Sequence, residues 1–206
     1  MKSVPRRGHK HGSPSSVGFC ALILVSVGMF KGYELSEGNR KAAAATPQGQ
    51  LVSIVSDARS RYKAANGNEV LQRSIHKDRD EAFCALVPSV ATADRWTGRI
   101  KSVREPGVLA DPNYVALSIE IAGDIVIETH GFVLDKDIAA STNIRKGTEL
   151  YNIVTKLTPG TRVKFSGKFV PKGGPRSTCL PERSVTMDGS MTEPEFVFSF
   201  EQVTPL

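Results

Sequence analysis

No G-x-S-x-G elbow, Walker loop or dinucleotide-binding glycine triplet occurs in this sequence, so hydrolase, P-loop and Rossmann chemistry have no motif to rest on. Cysteine and histidine are equally sparse. The four histidines are His9, His11, His76 and His130, and beyond the first pair none has metal-ligand spacing. A lone His130 after a strand reads as a surface residue rather than a general base. Gly173-Gly174 has basic neighbours but no helix start after it, so a flexible loop is expected there in place of a phosphate cradle. No catalytic residue, cofactor or metal site is expected. One-signed charge is also missing from most of the chain: the formal net charge is +6, yet residues 1–16 carry four basic residues and no acid. Residues 95–206 hold 14 Lys/Arg against 13 Asp/Glu. The basic character belongs mainly to the leader and gives the rest of the chain no overall pull toward polyanions.

What the leader does contain is a basic start followed by an apolar run. Val17–Phe30 is fourteen uncharged, mostly apolar residues, and the uncharged stretch from Gly12 reaches nineteen. As a helix the shorter run spans about 21 Å against a hydrocarbon core of roughly 30 Å, so both a cleaved signal and an uncleaved anchor fit. The missing A-x-A tripeptide favours the anchor, with Val17, Leu22, Ile23, Leu24, Val25 and Phe30 as its apolar core. Upstream Lys and Arg stay on the cytoplasmic side, so residues beyond about 35 are expected to be exported. The expectation is a single-pass protein of a bacterial inner membrane with its C-terminal domain in the periplasm, or a secreted protein if the signal is cut. Arg6-Arg7 lacks the apolar residues that follow a twin-arginine doublet, and Cys20 stands too early, behind a bulky Phe19, for a lipoprotein cysteine.

The remainder divides by pattern into a leader (1–35), a linker (36–50), a helical neck (51–88) and a β domain (89–206). Leu51, Val55, Ala58, Tyr62 and Ala65 recur at steps of four and three, the spacing of one helix face. Asn66-Gly67-Asn68 breaks that helix. A second is expected from about Glu69 to Leu86, with Val70 or Leu71, Ile75, Ala82 and Phe83 or Leu86 inward, the block His76–Glu81 outward, and Pro88 as its end. The heptad-like spacing admits a homo-oligomer through the neck, but it lasts little more than two heptads before the Asn-Gly break, which favours a helix or hairpin packed on the β domain.

From Trp96 the period changes to two. Strands are expected at Trp96–Val103, Tyr114–Ile121, Asp124–Thr129, Arg162–Val170 and Glu195–Val203, with one helix over Glu149–Leu157 between the third and fourth. That order resembles the OB-fold, a five-stranded Greek-key barrel with an inserted helix. The run Leu157, Gly160, Val163, Phe165 and Gly167 is similar to the segment entering the fourth OB strand, and Gly98 stands where a first strand must coil sharply. Residues from about 50 to 203 resemble uncharacterised bacterial membrane-anchored envelope proteins with an OB-like domain. The resemblance implies a fold and a location and transfers no catalytic residue. The segment Pro171–Pro194 is longer than such a barrel needs between its last strands.

Two function classes follow. One is a non-enzymatic binding or structural module of the envelope, meeting a protein or small ligand. The alternative is a single-stranded nucleic-acid binder using Trp96, Tyr114, Phe165 and Phe169 as stacking platforms beside Arg99, Lys101, Arg162, Lys164 and Lys168. In Arg162–Val170 the phenylalanines and lysines fall on opposite phases of a strand, which favours the first class. Outside the leader only Cys84 and Cys179 remain, and in an oxidising compartment they are candidates for a disulfide.

Overall fold

A computed structural model describes residues 45–105, 112–129, 142–170, 180, 182–184 and 186–206. The basic leader and the apolar run, with Val17, Leu22, Ile23, Leu24, Val25 and Phe30, lie outside the described residues, as do His130, Gly173-Gly174 and Cys179. Among the described residues no helix is long and apolar enough to cross a membrane.

Helix α1 (Pro47–Ala64) begins at Thr46, whose hydroxyl accepts from the Gly49 amide at 3.0 Å, with Pro47 in the first turn, where a missing N–H costs nothing. Its inward stripe is Leu51, Val55, Ala58 and Tyr62. The chain reverses at Gly67, at φ 77°, and Asn68 caps helix α2 (Glu69–Val90) by accepting from the Leu71 amide at 3.0 Å. α2 does not stop before Pro88. The proline stands in its last turn, the Ala91 amide still reaches the Val87 carbonyl at 2.8 Å, and Val90 is buried. One lost bond in a final turn costs less than unburying that side chain.

Strand β1 (Thr92–Arg104) follows at once, then β2 (Tyr114–Ala122) and β3 (Ile125–Glu128). Gly123 and Asp124, both at positive φ, make the two-residue hairpin turn between the last two. A two-residue strand β4 (Ile144–Arg145), helix α3 (Glu149–Val154), strand β5 (Arg162–Phe169), short helix α4 (Met187–Thr192) and strand β6 (Glu195–Pro205) complete the order. β4 and α4 are additions to the sequence reading. β4 has only two residues, and α4 (MDGSMT) centres on Gly189 and Ser190, which are poor helix formers.

The strands run β1-β5-β6-β3-β2 and close through β1·β2, a five-stranded mixed barrel with β4 added at β2. Among the described residues only the β3·β6 pairing is parallel. This closure is consistent with an OB-like barrel. β1 makes the join by serving two partners in turn, facing β5 from Thr92 to Arg99 and β2 from Arg99 to Arg104. Arg99 belongs to both ladders, opposite Arg162 on one side and Glu120 on the other. At Thr97, which has no partner in β2, the Gln48 side chain accepts from the Thr97 amide at 3.1 Å and donates to its carbonyl at 2.7 Å, as a neighbouring strand would.

Aromatic rings fill the barrel. Phe198 meets Phe165, Phe169 and Phe200 edge-on at centroid distances of 5.8, 5.0 and 4.9 Å, and Trp96 meets Phe169 at 5.8 Å. The same cluster takes Leu51 and Val55 from α1 and Phe83, Leu86 and Val90 from α2, so the helical hairpin shares one core with the barrel.

Candidate functional site

With its interior occupied, the barrel offers its outer surface to any ligand. The alternation along β1 and β5 that buries Trp96, Ile100, Val163 and Phe165 turns Thr97, Arg99 and Arg162 outward. Where β1 passes from one partner strand to the other, these residues, Gly98, and Glu120 and Ile121 of β2 line an open cleft of about 210 Å³. Gly98 lets the strands meet there: a Cβ on it would lie 2.5 Å from Ile119 Cγ2 and 2.6 Å from the Glu120 carbonyl oxygen. Arg99 donates to the Gly160 carbonyl at 3.3 Å, which turns its guanidinium toward the β5 side. Among the described residues neither Arg99, Arg162 nor Glu120 forms an ion pair. The cleft can therefore present two guanidinium groups and one carboxylate to a polar ligand.

Two buried charge clusters are paired mainly within the protein, with Arg79 Nε left without a hydrogen-bond partner. Arg79, 2% exposed, donates from Nη1 to the Ser190 carbonyl at 2.5 Å, and from Nη2 to Glu182 at 2.8 Å and Asp80 at 3.1 Å. Ser190 Oγ donates to Glu182 at 2.7 Å, and the Arg79 guanidinium stands 5.1 Å from the Phe83 ring centroid. Burial pushes the Glu182 carboxyl above its usual value, against the opposing pull of Arg79 and Ser190. Expecting the block His76–Glu81 to face outward was wrong for this residue. Arg79 lies midway between Ile75 and Phe83 at i+4 steps, and that spacing was the signal in the sequence. Val70, at 82% exposure, and Leu71 do not join the inward stripe, because they precede its first buried position, Ile75.

The second cluster is Glu128 on β3, which accepts from Ser118 Oγ at 2.8 Å, pairs with Arg183, and has Arg104 at 3.9 Å. Glu182 and Arg183 are chain neighbours that point to opposite sides. Their backbone runs antiparallel to the start of β6, with the Glu182↔Phe196 bridge and the Arg183 amide donating to the Glu195 carbonyl at 2.8 Å. This short stretch pins α2 to β3.

Of the two candidate disulfide cysteines, Cys84 is exposed on α2 and is disulfide-bonded. Cys179 lies outside the described residues. His76 faces Asp80 at 3.3 Å, its pKa lowered by burial against the raising effect of that carboxylate. Among the described residues no three His, Cys, Asp or Glu side chains converge as metal ligands. Of the proposed stacking set, Trp96 is 4%, Phe165 1% and Phe169 6% exposed, and only Tyr114 keeps partial access. No family model, no curated protein and no solved structure matches this chain.

Proposed function

We propose that this chain is an exported, membrane-anchored, non-enzymatic binding or structural module of the bacterial cell envelope, built on an OB-like barrel whose ligand contacts lie on the outer face. The observation that carries it is the burial of Trp96, Phe165 and Phe169 in the barrel core. A single-strand binder needs such rings exposed beside its basic residues, and here the same strands expose Arg99, Lys101, Arg162 and Lys168 while the rings point into the core. The OB reading is supported by the antiparallel pairs β1·β2, β2·β3, β5·β6 and β1·β5 closed by a parallel β3·β6. The heptad-spaced stripe of α1 is taken up by the chain's own core, which favours a packed hairpin over a coiled-coil seam. Export rests on the basic leader ahead of the apolar run.

The test is topological. A C-terminal alkaline phosphatase fusion should be active and a fluorescent protein that matures only in the cytoplasm should be dark in the same position; the reverse pattern would overturn the location. Retention of labelled oligonucleotide that falls steeply with salt would instead favour the nucleic-acid alternative.

A further inference from the structure

We propose that the cleft at the β1–β2–β5 junction is an anion subsite that takes a phosphate or carboxylate group of the ligand, held by Arg99 and Arg162. This deepens, and rests on, the reading of the barrel as a module that binds through its outer face. Arg99 and Arg162 are directly opposed in the antiparallel β1·β5 ladder and share one outward face. Like charges placed opposite each other in a sheet repel, and their Cβ atoms stand only about 5 Å apart. Further along β5 the molecule pairs Lys168 with Glu201 at 2.8 Å. At the junction Arg99 and Arg162 form no ion pair among the described residues, although Glu120 is in register with Arg99.

Space accompanies the charge. The cleft of about 210 Å³ opens beside these two side chains, a volume that accommodates a tetrahedral or planar oxyanion but not a nucleobase ladder. Thr97 lines the cleft with a hydroxyl, and Gly98 lets β1 and β2 approach closely beside it. Planar guanidinium forks match both phosphate and carboxylate geometry, so an oxyanion bridging them would relieve the repulsion that the empty register maintains. Glu120, on the opposite wall, disfavours polyanions entering broadside and selects a ligand that presents a single anionic group.

The full-length chain in neutral detergent micelles is titrated with sodium phosphate, then with sodium acetate, at ionic strength held constant with sodium chloride, while backbone amide shifts are followed. Saturable shifts confined to Thr97–Arg99, Glu120–Ile121 and Arg162 are expected. Arg162→Gln should weaken the apparent affinity about tenfold, the scale of losing a charge-assisted bidentate contact. Glu120→Gln should strengthen it, and Lys101→Gln, outside the cleft, should leave it unchanged. Without phosphate the thermal midpoint of Arg162→Gln should equal or exceed that of the parent, whereas a residue with only a structural role would lower it. Responses that do not saturate, or that Lys101→Gln weakens as much as Arg162→Gln does, would overturn the subsite. Repeating the phosphate titration in phosphatidylglycerol nanodiscs separates the sources. Competition there identifies a lipid headgroup as the occupant, and unchanged affinity identifies a soluble anionic ligand. The fusion experiment can fail without touching this result, and this titration can fail without touching topology.

Discussion

Glu182 and Arg79 illustrate how a buried pair couples two distant parts of the chain through single atoms. Replacing Glu182 by alanine leaves an almost wholly enclosed guanidinium with Asp80 as its one remaining carboxylate, and the loss should be about 2 to 3 kcal/mol in urea unfolding. Replacing both residues, as Arg79→Met with Glu182→Leu, removes both desolvation costs, and the double variant should recover most of that loss. The pH dependence has a definite sign. Because burial raises the folded-state pKa of Glu182 above its ordinary 4.5, the group's contribution to stability is fully present below that value and is lost as pH rises through the raised one. The stability difference between the parent and Glu182→Gln should therefore move in the parent's favour as pH is lowered across this window; a flat difference would contradict the assignment. His76, whose pKa is lowered chiefly by burial, acts oppositely, since its contribution is present above 6.5 and lost as pH falls through the lowered value. It is common to both proteins and cancels in the comparison. At this scale the sequence exposed the inward stripe at Ile75 and Phe83 but concealed Arg79, because a charged residue is assigned to solvent until its buried partner 103 positions away is known.

Strands β1 and β5 owe their closure to positions where a side chain would not fit. A Cβ on Gly167 would collide with the Ser199 carbonyl and the Phe198 ring, both fixed in the core of β6. Gly167→Ala should cost about 3 kcal/mol, more than an exposed strand glycine would, and a thermal midpoint unchanged from the parent would refute the close approach. Gln48 acts at the same join from outside the sheet. Gln48→Ala gives up two bonds to the Thr97 backbone and should cost about 1 to 2 kcal/mol, with faster amide exchange confined to the first half of β1. The elements were legible where a period had room to repeat: the five long strands and three of the helices fall on the expected stretches, with ends displaced by a few residues. β4, with two residues, and α4, with Gly189 and Ser190 at its centre, were not, and they are held by β2 and by the Arg79 to Ser190 contact respectively.

Across the whole molecule the helical hairpin and the barrel share their apolar core, and the stretch at 182–184 joins them by two charge clusters. Cys84 stands on α2 one turn beyond Asp80, while Leu180 is buried in the cluster that also holds Phe83 and Leu86. We propose Cys179 as the partner of the Cys84 disulfide, because it is the one other cysteine of the sequence outside the leader. Thiol labelling of the denatured exported protein should then find Cys84 and Cys179 blocked until reduction, and two reactive thiols would refute the pairing. Closing a loop of about 95 residues is worth nominally 4 to 5 kcal/mol in the chain-entropy model, so the double serine variant should unfold at markedly lower urea. The sequence by itself determined the local periods, the break at Asn66-Gly67-Asn68, and the opposite phases of lysine and phenylalanine in β5, since each depends on neighbours within one or two turns of chain. Only the tertiary structure decided that Arg99 faces both Glu120 and Arg162, that Arg79 is buried, and that β1 closes the barrel. Each of these depends on register between segments distant along the chain, and register is set by the packing of the finished core rather than by any local pattern.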